Sequence, residues 1–336
     1  MSTLSTSAGP TAIQKMQRLL GGFSGVNMVP PLNRCFGIFF ARSGTGKSRT
    51  LQSIPGAFIF NIDASSTVFP NSPATIWPGV DPQNGAPIEA CNPGDAGAFQ
   101  HPQLGWVRRI ELTWELILKK KDELLEYIKA HPNDVSCVVF DTVTSCLPLL
   151  IDHEVEQARK RVGTNKTIES WDDLNSLNKW SAIYDDFVAL VKEIKRAGVG
   201  VIVAVHLTDK FVNGEGGAKT LMKDMPQISD AFKGRLIPDT EFVCLLDMVS
   251  ETVNEPIQAK GLDFKLLFDA TGKPVMKDNF VSVNRVYASF DATAGPRLAK
   301  GRGITGRVLL DKANPWGSLQ AAYEKSIAEF APTPQK

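Results

Sequence analysis

The run Ala41-Arg42-Ser43-Gly44-Thr45-Gly46-Lys47-Ser48 sets two glycines, a lysine and a hydroxyl at the spacing of a phosphate cradle. It matches GxxxxGK[ST], with Ala41 at the first glycine position. Backbone N–H groups of Gly44, Thr45, Gly46 and Lys47 are expected to wrap a β-phosphate at the positive end of the following helix. The Lys47 ammonium reaches the β- and γ-phosphates, and the Ser48 hydroxyl ligates Mg²⁺. Gly44 and Gly46 allow the loop a positive φ and a close approach of phosphate. Ser43 and Arg49, at the two flanks, complete the expected nucleotide contacts. ATP and Mg²⁺ are the cofactors this reading calls for. Asp141 closes the apolar run Val135–Phe140 and is the expected metal-binding acid, acting through water. Thr142 follows it. An AAA-type ATPase usually carries Glu there as the base that activates water, so the sequence argues against that class.

These residues need strands and helices to hold them. Cys35–Ala41, Ala57–Ile62, Val135–Phe140, Val199–Val205 and Glu241–Met248 are apolar runs of strand length, as buried parallel strands require. Lys47 to about Ile54, Glu111–Ala130 and Trp180–Ala197 read as the helices between them. In the last, Trp180, Ile183, Tyr184, Phe187, Val188, Val191 and Ile194 recur at helical spacing, and Gly198 ends it. The alternation predicts an α/β fold, a mostly parallel twisted sheet with helices on both faces. Residues 64–105 are rich in Pro, Asn and Gly and read as a loop-rich insertion. Phe264–Phe268, Pro274–Met276, Val281–Phe290 and Arg307–Leu310 read as shorter strands extending the sheet in antiparallel fashion. Pro315–Phe330 is the last predicted helix, with Asn314 as N-cap. The expected organisation is an N-terminal arm (1–33, with a short helix over Thr11–Leu20), a core (34–250) and a C-terminal part (251–336).

Composition bounds the function. The 336 residues carry 37 Lys and Arg against 36 Asp and Glu, a net charge of +1. No global positive field draws the chain onto nucleic acid, so any such binding must come from a local patch. No apolar run approaches the ~18 residues that span a bilayer. The first residues show no secretory signal, so neither membrane nor export is expected. Five cysteines without CxxC spacing speak against zinc and against a disulfide framework; a reducing cytoplasm is the expected location.

With these residues in place, the chain resembles the RecA-like P-loop ATPases, and more narrowly the phage-borne RecA-core single-strand annealing proteins. The segments that carry the resemblance are ARSGTGKS, VVFDTVTS, the Trp180–Ala197 helix and VIVAVH, within residues 34–310. The resemblance implies that His206 is a polar sensor that feels the γ-phosphate and moves the next loop; a histidine can donate there without a permanent charge. It implies a mobile, DNA-contacting loop over Leu207–Leu236, with Lys219, Lys223, Lys233 and Arg235. It also implies that Lys300 and Arg302, in the segment RLAKGRGITG, act across a subunit interface on a neighbour's γ-phosphate. The sequence departs from the family at one point. Asp63 matches the Asp of an Asp-x-Glu pattern, but Ser65 stands where the catalytic Glu is expected. Either Asp63 takes the role of base, another acid from 64–105 does, or hydrolysis is slow.

After Asp141, Arg159-Lys160-Arg161 with Trp171 could supply phosphate contacts and a stacking platform, although flanking acids also suit a charged, solvated helix. The first functional expectation is therefore an ATPase on single-stranded DNA in recombination, annealing or replication. It would assemble as a ring or filament and work beside single-strand-binding or replication proteins. The alternative is a nucleotide-dependent switch or assembly factor that binds a protein partner and turns over slowly. A small-molecule kinase is weaker, for want of an Arg-rich lid.

Overall fold

The computed structural model describes residues 30–64, 69, 71–162, 168–174, 179–213, 219–260, 266–290, 300–301, 304 and 306–330. The predicted arm helix over Thr11–Leu20 lies outside them. In chain order the strands are β1 (Phe36–Ala41), β2 (Ala57–Asn61), β3 (Thr75–Trp77), β4 (Gly79–Val80), β5 (Pro87–Ala90), β6 (Ala98–His101), β7 (Gly105–Arg109), β8 (Cys137–Asp141), β9 (Gly200–Asn213), β10 (Lys219–Pro226), β11 (Phe242–Asn254), β12 (Ile257–Gln258), β13 (Met276–Lys277), β14 (Phe280–Ser289), β15 (Lys300–Gly301) and β16 (Arg307–Leu309). The helices are α1 (Lys47–Gln52), α2 (Trp114–Ala130), α3 (Val143–Val162), α4 (Lys179–Arg196), α5 (Asp230–Leu236) and α6 (Pro315–Phe330).

The main sheet runs β16-β14-β11-β1-β9-β8-β2-β3. Its six strands from β11 to β3 are parallel, and β14 and β16 join antiparallel at one edge. This is the α/β fold that the strand–helix alternation predicts. β1 lies at its centre and is buried along its whole length. Its side chains alternate between two cores. Phe36, Ile38 and Phe40 face the layer of α2, α3 and α4, with Trp114, Ile117, Leu150 and Phe187. Phe39 and Ala41 face the layer of α1 and α6, with Leu51, Ile54, Trp316 and Leu319. Burial on both faces is why the strand reads as an unbroken apolar run. Phe60 of β2 and Phe140 of β8 stack across neighbouring strands at 5.1 Å. Gly37 is required here: a Cβ would stand 2.0 Å from the Phe242 ring.

Helix starts follow from capping. The Thr113 hydroxyl accepts from Leu116 N–H at 3.2 Å, and the Asn314 side chain accepts from Gly317 N–H at 2.9 Å. Two segments differ from the loop reading. Within 64–105, and on to Arg109, lie β3 and a four-stranded antiparallel sheet, β4-β5-β7-β6. Its strands are two to five residues long, too short for alternation to stand out among the prolines and glycines. The segment after His206 is likewise no open loop. β9 continues to Asn213 and returns as β10, and Ser229 caps α5 by accepting from Phe232 N–H. Cys35, Cys137, Cys146 and Cys244 are buried singly and all five cysteines are free thiols; burial pushes the Cys137 thiol up to about 12. Among the described residues no helix is long and apolar enough to cross a membrane.

Candidate nucleotide site

β1 ends at Ala41 and the chain turns through residues 42–46 into α1. Gly44 and Gly46 take φ of 80° and 85°, the left-handed region that β-carbon-bearing residues avoid. The turn is fastened by Thr45, whose hydroxyl donates to the Arg42 carbonyl at 2.8 Å. The backbone N–H groups at the head of α1 are thereby left at the mouth of a cavity of about 370 Å³. Arg42, Ser43, Gly44, Gly46, Lys47, Ser48, Arg49, Asp63, Phe69 and His206 line it.

The remaining groups arrive from neighbouring strands. In the order β1-β9-β8-β2, the carboxyl ends present the loop, His206, Asp141 and Asp63 side by side. Open α/β sheets gather their ligands at this edge. The Lys47 ammonium, 6% exposed, pairs with the Asp141 carboxylate, 2% exposed. Ser48 Oγ donates to the other Asp141 oxygen at 3.0 Å. Two hard oxygens at that separation match neighbouring ligands of an octahedral ion bound at ~2.1 Å, so Ser48 and Asp141 fit Mg²⁺. His206 Nε2 lies 3.7 Å from Asp63 Oδ2. The His206 N–H donates to Thr144 Oγ1 at 3.2 Å, which ties this part of β9 to the start of α3. The peptide between Asp141 and Thr142 is cis.

The structure thus brings Ser43, Gly44, Gly46, Lys47, Ser48, Arg49, Asp63 and His206 to one cavity, with Thr45 in its loop and Asp141 against Lys47 and Ser48. Sequence reasoning missed Phe69. Its ring lies 5.9 Å from the Arg49 guanidinium, and its N–H donates to Gln52 Oε1 at 2.9 Å. The only signal was an aromatic in the stretch after Asp63. Arg42, also missed as a contact, pairs with Asp209 just beyond His206.

The other candidates stand elsewhere. Lys300 begins β15, opposite Val243 near the amino end of β11 and not at the cavity edge. Arg302 and Ser65 lie outside the described residues. Arg159 donates to the carbonyls of Ile168 (2.6 Å) and Glu169 (2.7 Å) and pairs with Glu156, so it pins a turn. Arg235 pairs with Asp185 and donates to the Ser181 carbonyl at 3.0 Å; Lys233 pairs with Asp230. Lys160 and Arg161 are exposed at the end of α3, and Lys219 and Lys223 lie on β10.

No curated protein matches the sequence. Among solved structures, the chain is similar to the KaiC-like protein PH0186 from Pyrococcus horikoshii OT3. The similarity covers 87% of this chain and 88% of that one, at 12% identity and a TM-score of 0.33. The expectation drawn from Thr142, that the chain stands apart from the AAA class, is overturned. Residues 36–277 match the family model for the AAA domain, AAA_24. One missing glutamate does not outweigh a match over residues 36–277, and a second acid, Asp63, follows β2, which pairs with the Asp141 strand. The match takes in the phosphate loop, Asp141, His206 and the strands that carry them, and the chain belongs to the AAA domain family.

Proposed function

We propose that this protein binds ATP with Mg²⁺ in the cavity at the head of α1 and hydrolyses it slowly, with Asp63 as the base. The observation that carries the reading is the convergence of the loop, Lys47, Ser48, Asp141, Asp63 and His206 on one sheet edge. The loop N–H groups and Lys47 bind the phosphates. Nucleotide entry breaks the Lys47–Asp141 pair, freeing the ammonium for the phosphates and the carboxylate for the ion. Asp63 orients and deprotonates water, and His206 reports the γ-phosphate. Phe69 and Arg49 offer a flat surface for the base.

We further infer that the nucleotide state is passed to single-stranded DNA through the β9–β10 hairpin. His206 lies in β9, so a shift at the γ-phosphate moves the strand that leads into the hairpin and its lysines, Lys219 and Lys223. Charge at these lysines would hold the phosphate backbone. In a ring or filament, Lys300 and Arg302 would serve a neighbour's site. The protein-partnered switch is favoured by one observation: the small β4–β7 sheet exposes Leu104 and Trp106. Fluorescence anisotropy of a labelled oligonucleotide separates the readings. DNA binding that strengthens with a non-hydrolysable ATP analogue and falls ~10-fold in Lys219→Ala/Lys223→Ala supports the DNA role. No binding in either nucleotide state contradicts it and favours the switch.

A further inference from the structure

Away from the cavity, the packing of α3 on α4 gathers His153, Glu154 and Asp186. Each offers one donor atom, and these atoms lie within 4.8 Å of one another. Glu154 is only 9% exposed. The neighbouring donor on the facing helix belongs to a second acid, Asp186. Among the described residues neither carboxyl has an ion pair with a lysine or arginine. The charges that bear on the cluster from outside are Glu115 of α2, paired with His153, and Arg161 of α3, which acts on Glu154, while Lys160 acts on Glu115.

Two neighbouring carboxylates, of which Glu154 is buried and Asp186 half-buried, repel each other unless a proton or a cation lies between them. A shared proton is one remedy and a metal ion is the other. The third side chain favours the metal. A shared proton needs no imidazole, whereas one imidazole nitrogen with two carboxylate oxygens is a donor set for Zn²⁺ and its first-row neighbours. His153 Nδ1 also lies 2.6 Å from Glu115 Oε1, the outer carboxylate that commonly orients a metal-bound histidine. We propose that His153, Glu154 and Asp186 bind a divalent first-row transition-metal ion that clamps α3 to α4. Donors around a tetrahedral ion at ~2.1 Å stand roughly 3.4 Å apart, so binding draws the three side chains together by at most about 1.4 Å. The site is separate from Ser48 and Asp141, which offer only oxygen. Its consequence is mechanical: α3 starts two residues after Asp141, and the clamp would fix the helix that leaves the nucleotide site.

The test uses the full chain, stripped with EDTA and held in excess Mg²⁺ without nucleotide. Zn²⁺ is titrated in competition with a chromophoric chelator. The expected result is about one tightly bound Zn²⁺ per chain and a higher Tm. Glu154→Gln and Asp186→Asn should each weaken Zn²⁺ at least ~10-fold while Asp141→Asn retains it. Co²⁺ in the unaltered protein should give the visible d–d bands of a nitrogen–oxygen site, a readout that does not depend on a variant folding. Absence of tight Zn²⁺ uptake by the unaltered protein would overturn the proposal and assign the pair a shared proton. Uptake unchanged in both variants would overturn it as well.

Discussion

Lys47 and Asp141 are both buried, and each is the other's charge partner until a nucleotide arrives. Asp63 is more open and faces His206, where an attacking water can be held. In the proposed mechanism the two acids would divide the work: Asp141 would serve the metal and Asp63 the water. Asp63→Asn keeps size and polarity but removes the carboxylate proposed as the base. It should lower kcat by ~100-fold or more with ATP affinity within about threefold, as separate binding and turnover assays would read. An unchanged kcat would remove Asp63 from the mechanism. Phe69→Ala takes away the stacking surface beside Arg49. ATP and ADP should both bind about 5- to 20-fold more weakly, with kcat at saturation preserved, and a fluorescent-nucleotide titration measures it. At this scale the sequence was informative wherever chemistry is tied to a strand end or a glycine loop. Lys47, Ser48, Asp141, Asp63 and His206 could be named because each closes or follows an apolar run. Phe69 could not, because nothing in the spacing of residues after Asp63 tells that its ring lies beside Arg49 of α1.

The central strands were legible because burial on both faces leaves them apolar throughout, and α4 because its apolar residues keep helical spacing. The β4–β7 sheet and the β9–β10 hairpin were not. The hairpin strands mix Asn, Asp, Lys and Thr with their apolar residues, and those of the small sheet are short and depend on long-range contacts. One such contact fastens the small sheet to the core. Glu89 of β5 accepts from the Trp77 indole N–H at 2.8 Å and from Arg108 Nε at 2.7 Å, with Lys120 of α2 nearby at 3.7 Å. Burial alone would raise the Glu89 carboxyl. The Trp77 and Arg108 hydrogen bonds and the Lys120 and Arg108 charges outweigh it and hold the group below its ordinary range. A depressed folded value means that the stabilisation is complete above the unfolded pKa and is lost as pH falls through the folded one. The sheet should therefore loosen as pH drops below about 4. Hydrogen exchange at β5 and β7 should rise there in the unaltered protein, and already at pH 7 in Glu89→Gln. Exchange in Glu89→Gln at pH 7 equal to the unaltered protein would show that the ion pairs do not hold the sheet.

At the scale of the whole molecule, near-neutral net charge leaves no long-range pull on nucleic acid. Any contact with DNA would then be local, and in the proposed reading a hairpin growing from the His206 strand would couple it to the nucleotide. The central claim is that the cavity at the head of α1 is an ATPase site linked to that hairpin. The measurement that tests it most directly is ATP hydrolysis by the purified protein, with and without single-stranded DNA, beside Lys47→Ala. The account predicts slow hydrolysis that DNA stimulates several-fold, and loss of both basal and stimulated rates in the variant. Hydrolysis equal in Lys47→Ala would contradict the site itself. Hydrolysis that needs Lys47 yet ignores DNA would contradict the link to the hairpin.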